Sequence, residues 1–135
     1  MSTIHNTAII GSNVIIGENV TIGAYSIIED GVKIADNNVI KSSVFITGQT
    51  DIGKNNVFHP FCSIGSPPQD LKFNNEITKL LIGNDNVFRE YSNVNVGTEG
   101  GGGITSVGNN SLFMVGAHIA HDCIVGNNIV MANQA

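Results

Sequence analysis

Two histidines and an aspartate fall within five residues, at His118, His121 and Asp122, inside the stretch Gly116-Ala117-His118-Ile119-Ala120-His121-Asp122-Cys123. An imidazole titrates near neutral pH, so it can take a proton from an attacking hydroxyl or amine. A neighbouring carboxylate can fix its tautomer and stabilise its charged form. That pair is the core of general-base catalysis. The same residue types also read as polar side chains on a solvent-facing surface, and spacing alone leaves both readings open. Two further stretches carry chemistry-bearing residues. Gln69-Asp70-Leu71-Lys72 places opposite charges just after Pro67-Pro68, in a segment that reads as a solvated loop. The glycine run at residues 100–103 lacks the Lys-Ser/Thr ending and the following helix of a phosphate-cradling loop, so it reads as a flexible excursion.

These residues need a scaffold, and its period is plain. Isoleucine recurs every sixth residue at Ile4, Ile10, Ile16, Ile22, Ile28, Ile34, Ile40, Ile46 and Ile52, and Phe58 and Ile64 extend the series. Six fits neither the 3.6 of an amphipathic helix nor the simple alternation of a half-buried strand. It fits a parallel β-helix in which each hexapeptide is one short strand plus a corner, with three sides to a coil of eighteen residues. A second period agrees. Asn19, Asn37 and Asn55 lie eighteen apart, as do Asn110 and Asn128, each the third residue after an inward aliphatic. Asparagine tolerates the left-handed backbone region, which suits a tight corner. The fourth residue after each inward position is small or β-branched at Ala8, Val14, Val20, Ser26, Val32, Val44, Thr50, Cys62, Ala117 and Cys123, which defines a second inward slot. With Ile119 and Cys123 inward, His118, His121 and Asp122 are expected on the outer surface or at a corner.

The register breaks twice. Continued past Ile64 it would bury Asp70 and Glu76 unpaired, which costs too much, so residues 66–81 are expected to leave the prism as a loop. Stacking resumes at Ile82, Phe88 and Val94, breaks at Thr98-Glu99-Gly100-Gly101-Gly102-Gly103, and returns one residue out of phase at Val107, Phe113, Ile119, Val125 and Met131. Two excursions from so regular a scaffold are expected to shape a site.

The chain has 135 residues, room for one domain spanning residues 1–135. Its inward slots make about six triangular coils, roughly 30 Å tall at ~4.8 Å per layer. The net charge is -5 with six Lys+Arg, which argues against nucleic acid or an anionic membrane as partner. No apolar run approaches the ~20 residues of a membrane span, so membrane insertion is not expected. No basic-then-apolar leader precedes the repeat. Cys62 and Cys123 share the second inward slot and are expected to be buried free thiols, which fits a cytoplasmic location. The chain stops at Asn133-Gln134-Ala135 within a hexapeptide, and a solenoid ended there exposes a strand edge. The expectation is the N-terminal part of a longer protein.

Together, the six-residue repeats, the Gln69-Asp70-Leu71-Lys72 loop, the Gly-Thr-Glu-Gly-Gly-Gly loop at residues 97–102 and the Ala117-His118-Ile119-Ala120-His121-Asp122-Cys123 stretch resemble the UDP-N-acetylglucosamine acyltransferase family of lipid A (lipopolysaccharide) biosynthesis. The resemblance covers the whole chain. It implies an all-β, left-handed parallel β-helix and a homotrimer with sites between neighbouring subunits. Further coils and a C-terminal helical domain would lie beyond residue 135. The implied reaction moves a (R)-3-hydroxyacyl chain from acyl carrier protein to the 3-position of a UDP-N-acetylglucosamine-type sugar. No metal and no cofactor are implied beyond the phosphopantetheine of the acyl donor. By position, His121 matches the general base and Asp122 the carboxylate that orients it, while Gln69, Asp70, Lys72 and His118 match residues that contact the sugar nucleotide or support the site. One departure is that a basic pair before the Gly-Thr loop is Asn95-Val96 here. Two other readings stand beside this one. A trimeric, zinc-dependent carbonic-anhydrase-like enzyme would take His118 and His121 as ligands, with His59 or His5 as the third. A non-catalytic hexapeptide-repeat scaffold would need none of them.

Overall fold

The computed structural model describes all 135 residues as a left-handed parallel β-helix with nineteen strands and no α-helix. Three parallel sheets form the faces of a triangular prism, seven strands on the first and six on each of the other two. Each strand is short, typically two residues, and pairs with the strand one coil away. The left-handed crossover departs from the right-handed rule for parallel strands.

The expected inward series is the core. Ile22, Ile28, Ile34, Ile40, Ile46, Phe58, Ile64, Phe88 and Ile119 are all at most 3% exposed and belong to one cluster of 21 buried residues. Across both breaks the register holds as expected, with Ile64 paired to Val94, Val94 to Ile119, and Ile82 to both Ile52 and Val107. On the first face three aromatic rings stack along the prism axis. Phe58 and Phe88 lie 4.9 Å apart at 4°, and Phe88 and Phe113 4.8 Å apart at 19°.

The second inward slot carries more than small apolar groups. Asn38, Asn56 and Asn86 fill it at 0% exposure and form a ladder. Each Oδ1 accepts the backbone N–H of the slot one layer on, from Asn56, Asn86 and Ser111 in turn, and each amide donates to a carbonyl of Gly53, Gly83 or Gly108. A buried amide is stable only when its hydrogen bonds are met, and stacking meets them here.

Corners require positive φ, and they occur where asparagine spacing placed them: Asn19 (56°), Asn37 (62°), Asn55 (61°), Asn110 (58°) and Asn128 (58°). The corner after the first face has its own column, Tyr25 (61°), Ser43 (58°), Phe61 (71°), Tyr91 (63°) and Gly116 (75°). Bulky residues rarely adopt this region, so no composition signal marked them. The amides of Tyr25, Ser43, Phe61 and Gly116 are held by the neighbouring layer, as in Phe61 N–H to the Ser43 carbonyl at 2.9 Å.

Two expectations need correction. The first loop is shorter than residues 66–81, because Lys79–Ile82 is a strand and Leu80 is fully buried, paired with Thr50 and Thr105. Leu80 sits two before Ile82, in the second inward slot of the resumed phase, so the strand begins earlier than the first inward isoleucine after the loop. Cys123 is exposed rather than buried, because no further layer of this chain covers its slot. Cys62 is buried, within 3.5 Å of the Phe88 carbonyl, and burial pushes its thiol up to about 11. Iodoacetamide at neutral pH should therefore alkylate Cys123 and spare Cys62 in the native 135-residue chain. Mass spectrometry showing equal rates at the two thiols would contradict this packing.

Candidate active site

Both excursions leave the prism at the same edge, between the second and third faces. The first joins strand Ser63–Ser66 to Lys79–Ile82, the second joins Asn93–Asn95 to Ile104–Val107, and they belong to successive layers. In the next layer the same edge holds the turn between His118–Ile119 and Ile124–Val125, which contains His121 and Asp122. Three distant stretches of sequence thus meet because the repeat stacks them.

Asp122 is the corner residue of its layer, at φ 64°, and its N–H donates to Thr105 Oγ1 at 2.8 Å. Its carboxylate is 11% exposed and faces back toward the second loop. Oδ1 accepts the Thr98 N–H at 2.8 Å, and Oδ2 accepts the Thr98 hydroxyl at 2.5 Å. The same Oδ2 meets His121 Nδ1 at 2.8 Å. Burial by itself raises the pKa of Asp122. The donors from Thr98 and His121 outweigh burial and hold the group below its ordinary value. With Nδ1 engaged, Nε2 is the ring nitrogen left to address solvent or substrate, and His121 is about one-third exposed.

In front of His121 lies a cavity of about 350 Å³, lined by Asp70, Lys72, Phe73, Glu76, Thr98, Glu99, Gly100, Gly101, His121 and Asp122. Asp70 and Lys72 therefore share a cleft with the His121–Asp122 pair inside a single chain. Asp70 also shapes its own loop, its Oδ1 accepting the Lys72 N–H at 2.9 Å while its carbonyl accepts the Phe73 N–H at 2.9 Å. A second cavity of about 230 Å³ lies behind residues 67–78, and Phe73 and Glu76 line both.

The other expected residues stand apart from this cleft. Gln69 is exposed and does not line it. His118 lies half-buried on the outer surface of the second face, its Nδ1 against the Asn93 side chain of the layer below. Asn95 and Val96 are each 5% exposed. Val96 lines the second cavity, and the Asn95 side-chain oxygen has no hydrogen-bond partner. No three His, Cys, Asp or Glu side chains of the chain converge as a metal site would require. His59 has its pKa lowered by burial and by the Arg89 charge, against an opposing pull from Glu90.

Thr98 and Thr105 are the residues that sequence reasoning missed. The spacing assigned Thr98 only to a loop, and its partner lies 24 residues away. Glu76 and Glu99 add two carboxylates to the cleft. Lys72 is its one lysine or arginine.

The chain is similar to proteins of defined type. The family of bacterial transferase hexapeptides (six repeats) matches residues 1–35 and 13–48. An acyl-[acyl-carrier-protein]–UDP-N-acetylglucosamine O-acyltransferase of Rickettsia bellii (strain OSU 85-389) is 53% identical over 122 residues, covering 90% of this chain and 43% of that protein. The protein of the same name from Aliarcobacter butzleri (strain RM4018) is 53% identical over 135 residues, 100% of this chain and 52% of its own length. The solved structure of LpxA from Acinetobacter baumannii superposes with a TM-score of 0.96 at 44% identity, over 97% of this chain and 51% of that one. The LpxA structure of Moraxella catarrhalis RH4, a UDP-N-acetylglucosamine O-acyltransferase, gives a TM-score of 0.90 at 37% identity, over 97% and 58%. The chain spans about half the length of the relatives it matches.

Proposed function

The chain belongs to the hexapeptide-repeat UDP-N-acetylglucosamine O-acyltransferase family, and from that premise we infer that the protein it forms part of transfers a (R)-3-hydroxyacyl chain from acyl carrier protein to the 3-hydroxyl of UDP-N-acetylglucosamine. The observation that carries this reading is the cleft itself. An oriented His–Asp pair faces Asp70 and Lys72 across a space of about 350 Å³.

His121 Nε2 takes the proton of the acceptor hydroxyl as the oxygen attacks the thioester carbonyl. A C–O bond forms, the C–S bond breaks, and the phosphopantetheine thiol leaves with the proton returned from the imidazolium. Asp122, held ionised by Thr98, stabilises that imidazolium through Nδ1. Asp70 and Lys72 contact the sugar nucleotide from the facing loop, with Gln69 and His118 supporting the site from outside the cleft.

The charge balance supports completion of the site by other parts of the assembly. A diphosphate carries negative charge, yet this cleft offers Lys72 against Asp70, Glu76, Glu99 and Asp122. A homotrimer supplies neighbours for it. Exposed apolar groups fit a covered face: Phe61 is 54% exposed and stacked on Tyr91, and Met114 and Val115 are each 36% exposed. The reaction and partners are those of a cytoplasmic enzyme of lipid A synthesis.

The test is direct. The purified full-length protein, given (R)-3-hydroxyacyl carrier proteins and UDP-N-acetylglucosamine, should form a UDP-3-O-acyl sugar detectable by mass spectrometry, and light scattering of the same sample should give a trimer. Acyl transfer to no position of the sugar with any chain length would remove the reading.

A further inference from the structure

In the glycine-rich segment at residues 97–103, Thr98 and the N–H groups of Gly97, Gly101 and Gly103 are committed to partners within the chain. Thr98 gives both its amide and its hydroxyl to Asp122. Gly101 N–H in turn donates to Thr98 Oγ1 at 3.1 Å. That donor occupies a lone pair of the hydroxyl and turns its single proton toward Asp122 Oδ2. The loop closes on the same residue, with Gly103 N–H donating to the Thr98 carbonyl at 2.7 Å. Thr98 is 8% exposed, so water competes little for these bonds.

Close approach explains two of the glycines. A Cβ at Gly101 would stand 2.0 Å from Asp122 Oδ2, and one at Gly97 would stand 2.8 Å from Oδ1. Any side chain at Gly101 must push the carboxylate out of its seat. From the other side, the Asp122 N–H is fixed on Thr105 Oγ1 at 2.8 Å. Backbone and carboxylate of Asp122 are thus anchored by two different threonines.

We propose that Thr98 is a positioning residue for acyl transfer, and that residues 97–103 form a carboxylate clamp that sets the tautomer of His121. The proposal rests on His121 being the base. A carboxylate that receives the Thr98 hydroxyl and amide is an acceptor at both oxygens. The group it meets on His121 must then be an N–H, so Nδ1 carries the ring proton and Nε2 keeps the lone pair that attacks the acceptor proton. Without the Thr98 hydroxyl, the carboxylate is free to turn away from Nδ1, and the ring is no longer held to one tautomer.

The experiment compares Thr98→Val, Thr98→Ser and His121→Ala with wild type in the full-length enzyme. Thr98→Val should lower kcat on the order of 10–10²-fold, the scale of a misplaced catalytic group. KM for the sugar nucleotide should stay within about twofold, as for an interaction made chiefly in the transition state. Thr98→Ser, which restores the hydroxyl, should return kcat to within about threefold of wild type. Nitrogen-15 NMR should find neutral His121 protonated at Nδ1 in wild type and Thr98→Ser, and a tautomer mixture in Thr98→Val. A Thr98→Val enzyme with wild-type kcat, a serine variant as poor as the valine one, or an unchanged tautomer in Thr98→Val would each overturn the clamp. If His121→Ala itself keeps its activity, the base assignment falls instead, and the tautomer spectra still decide the clamp.

Discussion

His121→Ala is expected to lower kcat by about 10²–10⁴-fold, the usual cost of losing a positioned general base. The imidazole contributes little to the fold. It is about one-third exposed, and its hydrogen bond goes to the next residue along the chain. The melting temperature and the oligomeric state should therefore stay close to wild type, and the loss should fall on kcat rather than on binding of the sugar nucleotide. The pH dependence gives a second readout. The donors that hold Asp122 below its ordinary value keep it charged until well into the acid range. As pH falls, loss of the Asp122 charge should therefore limit wild-type activity only below the ordinary aspartate range. The measurement is acyl transfer from acyl carrier protein by the full-length enzyme across pH. Activity of the alanine variant within about threefold of wild type would remove His121 from its role, and a strict dependence on added zinc would favour a metal site.

Phe88→Ala carries the largest expected effect on stability, a loss of about 3–5 kcal/mol. The ring is fully buried and stacked on both sides, against Phe58 at 4.9 Å and Phe113 at 4.8 Å. A solenoid core is one residue wide, so neighbours cannot close over the cavity from the sides. Removing the ring unsupports two layers at once. Ile46→Ala, also fully buried, should cost about 2–5 kcal/mol for the smaller volume lost. Urea unfolding of the native protein followed by circular dichroism measures both. A loss below about 1 kcal/mol at Phe88 would mean that the three rings do not stack inside the prism.

The core was legible because one period governs it. Every residue from Ile4 to Ile52 in the sixfold series has an address that neighbouring residues cannot alter; the first phase break could be placed by asking which carboxylates would otherwise be buried, and the second by the glycine run and the one-residue shift at Val107. The corner asparagines were legible for the same reason. What the period does not show is which group in the next layer answers each side chain. Asn38, Asn56 and Asn86 look like ordinary turn residues until stacking supplies their partners. Leu80 belongs to the strand that follows the first loop, and the period does not show where a loop ends within a repeat. Tyr25 and Phe61 adopt positive φ against their own preference, with the layer below holding their amides, and Tyr91 follows the same column. At the site, His121 and Asp122 announced themselves by type and adjacency. Thr98 did not, since its distance from Asp122 in sequence depends on the lengths of the segments between them. Cys123 was placed correctly in its slot, but its exposure depends on what lies above it.

The shared edge from which both loops depart also sets an order of events. Strand pairing joins residues 18 to 30 apart, so each coil docks on the one made before it, and a stack of this kind grows by propagation. During synthesis the loop bearing Asp70 and Lys72 leaves the ribosome first, the Thr98 loop next, and the His121–Asp122 corner last. The clamp is therefore waiting when the carboxylate arrives. On the proposed mechanism, a nascent chain that stops short of residue 121 carries both loops at this edge and lacks the proposed base until the sixth coil winds on.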